Sequence, residues 1–137
     1  MKKLFPICAF AIVSVAGSAQ EQQPRFGFDP AKKETLKVTV TGKEDQTDIL
    51  LVTIDGKNFR LNFTYGVPEE YLKKYNMSIS VGDEITLIGN RSEFTNNFGR
   101  EVRNFITYEV KKGDATMPLL DKDGCQLYTS QYPPLKR

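Results

Sequence analysis

Asp55-Gly56 lies between two apolar runs, and this dipeptide restricts the possible folds more than any other feature of the chain. Both residues tolerate the positive φ that a two-residue hairpin turn demands. Upstream, Ile49-Leu-Leu-Val-Thr-Ile54 is nearly all apolar, as in a strand buried on both sides or in one with an exposed apolar rim. Downstream, residues 57–65 alternate: Phe59, Leu61 and Phe63 are expected inward, and Asn58, Arg60, Asn62 and Thr64 outward. A β-hairpin is therefore expected at the centre of the chain.

Other segments extend the pattern. Thr35-Leu-Lys-Val-Thr-Val-Thr41 places Leu36, Val38 and Val40 on one face, and its β-branched residues favour a strand. After the hairpin, Pro68-Glu-Glu-Tyr-Leu-Lys-Lys-Tyr75 reads as a short helix. It has Pro at its start, acids in its first turn, bases in its last, and Tyr71, Leu72 and Tyr75 on one face. Gly82-Asp83 then turns the chain into a strand with Ile85 and Leu87 inward, which Gly89 is expected to end by a bend or bulge. Residues 90–101 read as a loop with its reversal near Asn97-Phe-Gly99. The last strand is expected over residues 102–110. Ile106, Tyr108 and Val110 face inward, Arg103, Phe105, Thr107 and Glu109 outward, with a bulge at Asn104.

The ends differ from this middle. Lys2-Lys3, an apolar run from Leu4 to Val15 and the small residues Ala16-Gly-Ser-Ala19 form the pattern of an export signal. The run is too short to span a bilayer, so no integral membrane segment is expected in the mature protein. The expected organisation is a signal peptide over 1–19, a flexible lead-in over 20–34, a barrel over 35–112 and an extended C-terminal tail over 113–137. The tail either wraps the barrel or awaits a partner. Without Lys2 and Lys3, 17 basic residues face 17 acidic ones, so a general attraction to nucleic acid is disfavoured. Cys8 would leave with the signal, so no internal disulfide is expected, and Cys125 is expected to be buried or unpaired, with a disulfide to a second chain as the lesser alternative.

The order strand, strand, strand, short helix, strand, strand resembles the oligonucleotide/oligosaccharide-binding (OB) fold. The phrase Ser80-Val-Gly-Asp-Glu-Ile-Thr-Leu-Ile-Gly89 looks like the fourth-strand phrase of such barrels. Over roughly half of its length the chain thus resembles small exported bacterial OB-fold domains of the tRNA-anticodon-like group. The expected fold is all-β, a five-stranded OB-like Greek-key barrel with one short helix between strands 3 and 4. The resemblance implies a ligand surface on the outer face of strands 2 and 3, with Arg60 and Asn62 on the face. Residues 43–48 and 90–100 would form its edges.

The candidate binding residues are Arg60, Asn62, Tyr65, Arg91, Phe94, Phe98, Arg100, Arg103 and Phe105. Aromatics stack on bases or sugar rings, and Arg pairs with phosphate or stacks itself. The same residues have a plainer reading, with phenylalanines capping the barrel mouth and arginines solvating the sheet. The chain contains no His and no Trp, which removes the commonest general base and the commonest transition-metal ligand. No cofactor and no metal are expected, and Asp121-Lys-Asp-Gly124 lacks the further ligands of a calcium loop, so it reads as a turn. The expectation is a periplasmic or secreted, non-enzymatic module that binds a protein or an oligosaccharide. The alternatives are an accessory subunit docking through its C-terminal tail, and a single-stranded nucleic-acid binder. Asn62, Asn76 and Asn90 head glycosylation sequons.

Overall fold

The computed structural model describes residues 25–130; the expected signal peptide and residues 131–137 lie outside them. Six strands form one sheet: β1 (Glu34–Lys43), β2 (Leu50–Ile54), β3 (Lys57–Leu61), β4 (Glu84–Thr95), β5 (Glu101–Lys112) and β6 (Ala115–Pro118). Antiparallel pairs join β1 to β2, β2 to β3, β1 to β4 and β4 to β5. A parallel contact between Arg60 of β3 and Asn104 of β5 closes the ring. The protein is an all-β, OB-like barrel of five strands, with β6 appended to β5.

The central hairpin forms as expected. Asp55 and Gly56 take φ of 52° and 81°, the left-handed region that a two-residue turn needs. Val52, Phe59 and Leu61 are buried with Val40, Ile85, Leu87 and Val110 in the barrel core. The strand stops earlier than the alternation suggests. Asn62 turns into helical φ/ψ, and Phe63–Gly66 forms a one-turn helix, α1. The Thr64 hydroxyl accounts for the break: it donates to the Leu61 carbonyl and accepts the Leu50 N–H, so the side chain takes the place of a ladder neighbour. A second helix, α2 (Glu69–Lys74), follows Pro68 and is capped at Tyr75, after which Asn76 takes a φ of 55°. Its Tyr71, Leu72 and Tyr75 pack on the core. The Gly82-Asp83 phrase does turn the chain into β4. The Asp83 carboxylate accepts the Ser80 N–H and the Lys112 ammonium, each at 2.8 Å, and these bonds hold its pKa below the ordinary value, the lysine contributing most.

Three expectations are corrected in the second half. Gly89 does not end its strand: β4 runs on to Thr95, and the reversal is confined to residues 96–100. The bulge lies at Tyr108, not Asn104. Ile88 pairs with Glu109 while Gly89 pairs with Thr107, leaving Tyr108 as the extra residue. That insertion swaps the faces of β5 before it. Phe105, expected outside, is 1% exposed in the core, whereas Ile106 and Tyr108 form a second apolar cluster outside the barrel with Leu120 and Phe28.

The C-terminal segment packs on the barrel through Tyr128. β6 returns along β5, and Met117, Leu119 and Tyr128 join the main core. The Asp121 carboxylate accepts the N–H groups of Asp123 and Cys125, which makes this stretch a turn closed on itself. Cys125 is buried, as expected, and disulfide-bonded, which corrects the alternative of an unpaired thiol.

Candidate functional site

β4 and β5 each have twelve residues, against five for β2 and β3, and their hairpin extends past the barrel as an arm. The lead-in crosses the outer face of this hairpin, fixed there by one asparagine. The Asn90 amide nitrogen donates to the Gly27 carbonyl (2.8 Å) and the Arg91 carbonyl (3.1 Å). Its oxygen accepts the Asp29 N–H (3.0 Å) and the Tyr108 hydroxyl (2.7 Å). Phe28 packs on Tyr108, and Phe26 meets Phe94 edge to face with ring centroids 5.1 Å apart. The sequence presents Asn90 as the head of a sequon and the start of a loop, not as a buried clasp. Its position one residue past a bulge glycine is the signal that could have marked it.

The predicted arginines are largely neutralised from within. Arg60 pairs with Glu44: its Nη2 donates to Oε1 at 3.0 Å, and its Nε lies 2.9 Å from Oε2 without forming a hydrogen bond. Arg91 bridges Glu34 (2.8 Å) and Asp55 (2.7 Å), tying the start of β1 to the β2–β3 turn across one end of the barrel. These bonds, Asp55's the stronger, raise its pKa further. Arg103 pairs with Glu93 across the arm and with Glu101 on its own strand. A guanidinium paired with a carboxylate uses donors that would otherwise hold a phosphate.

The nine predicted residues therefore do not form one surface. Phe105 belongs to the core and Asn62 is buried. Tyr65 sits half-buried on α1, beyond the end of β3 that points away from the arm. Arg60 lies beside β5 on the outer face that the OB resemblance implied. Arg91 lies opposite Phe105 within the barrel wall, whereas Phe94, Phe98, Arg100 and Arg103 share the arm. Phe98 at its tip is 87% exposed, and Arg100 is exposed beside it. Glu93, Phe94, Thr95, Glu101 and Arg103 line a depression of about 170 Å³ on this arm. Asn62 and Asn104 are buried with side-chain amides that have no hydrogen-bond partner, an arrangement that costs stability, since such a group forfeits its water without replacement. Of the three sequons only Asn76 is exposed.

Among the described residues, no group of three or more His, Cys, Asp or Glu side chains is arranged to hold a metal ion. No helix among them is long and apolar enough to cross a membrane. No known protein family, curated protein or solved structure matches this chain.

Burial raises the pKa of Tyr71, Tyr108 and Tyr128 above the ordinary 10.0. The folded state thus holds each phenol neutral more tightly than the unfolded chain does. The stability linked to this is fully present below about pH 10 and is lost as the pH rises toward the folded values. In an alkaline titration, at least three of the six tyrosines are expected to ionise late and together with loss of the β-sheet circular dichroism. Ionisation of all six near the ordinary value, with the sheet signal intact, would contradict this.

Proposed function

We propose that the protein is an exported, non-enzymatic binding module that engages a protein partner through the β4–β5 arm. Export rests on the pattern of residues 1–19 and, like the kinship with exported OB domains, is part of the proposal. The observation that carries the reading is Phe98, an almost fully exposed aromatic at the tip of a hairpin reaching past the barrel, with Phe94 on the same arm and the exposed Phe26 of the lead-in packed against it. Large apolar side chains held out on rigid elements are the usual anchors of protein interfaces. The internal ion pairs of Arg60, Arg91 and Arg103 weigh against single-stranded nucleic acid, which needs free cationic groups along its path. Docking through the tail is less favoured, because the segment is committed to the barrel as far as Tyr128.

Phe98→Ser tests this reading. The side chain touches no core residue, so the melting temperature should stay within a degree or two of wild type. Affinity for the partner captured from the extracytoplasmic fraction of the source cells should fall about 30-fold, the effect of losing a hot-spot aromatic. An unchanged affinity would remove the arm from the account.

A further inference from the structure

We propose that this protein pairs with a second copy of itself by exchanging residues 25–29, which fit a peptide groove on the outer face of the β4–β5 hairpin. The groove holds its occupant by the main chain. Asn90 accepts the Asp29 N–H and donates to the Gly27 carbonyl, and the Gly124 carbonyl accepts the Arg25 N–H at 3.1 Å. Main-chain bonds combined with pockets for side chains are how proteins hold peptide segments. The occupant is a turn, closed by the Phe28 N–H on the Arg25 carbonyl at 3.0 Å, with Gly27 at φ 88°. Phe28 lies on Tyr108 and against Gly124, where a Cβ would stand 2.6 Å from its ring. A Cβ on Gly27 would stand 2.3 Å from the Ser92 Oγ and 2.8 Å from its Cβ. Gly27 and Phe28 are thus required of the occupant, and Gly124 of the groove.

The joint between this segment and β1 does little to hold it. The 3-10 turn Pro30–Lys32 buries no residue, and residues 30–33 are all exposed. The Lys33 ammonium rests over the Tyr108 ring at 5.6 Å, a weak surface contact. Every bond made by residues 25–29 to the groove is therefore the same whether the segment comes from the same copy or from a neighbour, the condition under which protomers exchange an element. An empty groove would leave Ile106, Tyr108 and Leu120 uncovered, so states with no lead-in seated are disfavoured. A hinge of residues 30–33 spans about 13 Å when extended, which requires the two copies to stand with their β4–β5 faces close together. The exchange does not depend on binding at the arm.

Two variants test it. Gly27→Ala keeps the groove and spoils the lead-in; Gly124→Ala keeps the lead-in and spoils the groove. Neither seats its own segment, so each alone should sediment as a monomer. Mixed at about 100 μM each, well below the millimolar effective concentration of a tethered segment, they should form a 1:1 dimer in which the lead-in of one fills the groove of the other. Wild type, whose own segment competes, should dimerise only on the order of 1 mM. A synthetic peptide of residues 25–33 reads the groove without the second variant. It should bind Gly27→Ala saturably below about 1 mM and shift the amides of Asn90, Tyr108 and Gly124. The same peptide carrying Phe28→Ala should bind at least about tenfold more weakly. Three results would overturn the proposal: a mixture that stays monomeric, no binding of the peptide to Gly27→Ala, or peptide binding that Phe28→Ala leaves intact. Phe98→Ser should leave the exchange untouched, so failure at the arm and failure of the exchange are read separately.

Discussion

Replacing Asn90 with Ala is expected to cost roughly 3–4 kcal/mol, a large part of the 5–15 kcal/mol that typically holds such a domain together. The side chain is fully buried; of its four hydrogen bonds, one reaches Tyr108 on β5, two reach the lead-in, and one stays on β4 at the Arg91 carbonyl. Alanine would leave the Tyr108 hydroxyl, the Asp29 N–H and the Gly27 carbonyl without their partner, and each orphaned group loses the water it gave up on folding. Residues 25–33 should detach first, exposing the cluster of Phe28, Ile106, Tyr108 and Leu120. Urea unfolding measures the loss, and limited proteolysis should show cleavage in the lead-in well before the barrel. Asn90→Asp keeps the acceptor for Asp29 and Tyr108 but sets a carboxylate against two carbonyls, so an intermediate loss is expected. A loss below about 1 kcal/mol for alanine, the worth of one ordinary hydrogen bond, would mean that Asn90 is not the clasp.

The second large effect is expected one residue earlier. A Cβ on Gly89 would lie 1.9 Å from the Ile106 carbonyl oxygen and 2.9 Å from the Phe105 ring. The first obstacle is backbone inside the β4–β5 ladder, where a flexible side chain could not yield. The bulge at Tyr108 falls at this point of the ladder, where Gly89 pairs with Thr107. Gly89→Ala should therefore lose more than about 4 kcal/mol, the size reserved for a few disruptive mechanisms. Most of the variant is expected in the insoluble fraction. Recovery as a soluble barrel with a wild-type melting temperature would show that the strands part here without penalty.

These residues also mark where the sequence was legible. The hairpin at Asp55-Gly56 could be read because its turn chemistry is local, and the alternation after it showed that Phe59 and Leu61 face inward; the apolar run before it did not show that Leu51 and Thr53 face out. The face of β5 could not be read. Phe105 and Ile106 are both apolar, so period-2 counting fits either side, and only the pairing with β4 shows that Tyr108 is inserted. Gly89 did announce a bulge, but it serves a continuing strand. β6 was missed although Gly113-Asp114 is a two-residue hairpin signal; four residues ending in Pro118 give too short an alternation to notice. The arginines were hardest. Glu93 and Arg103 become neighbours only once the hairpin register is known, and the pairs of Arg60 and Arg91 depend on strands meeting after the barrel closes. Free cations and internally paired ones look alike in a sequence.

Binding at the arm, with the rest of the β4–β5 outer face already covered by the chain's own lead-in, is tested most directly by amide hydrogen exchange. The protein would be measured alone and with the extracytoplasmic fraction of its source cells. The account predicts new protection over residues 93–103 and at Phe26 beside them, with the rest of the lead-in and the β1–β2 face unchanged. Protection gained on β2 and β3 around Arg60, with none on the arm, would contradict it and return the ligand to the face implied by the OB resemblance.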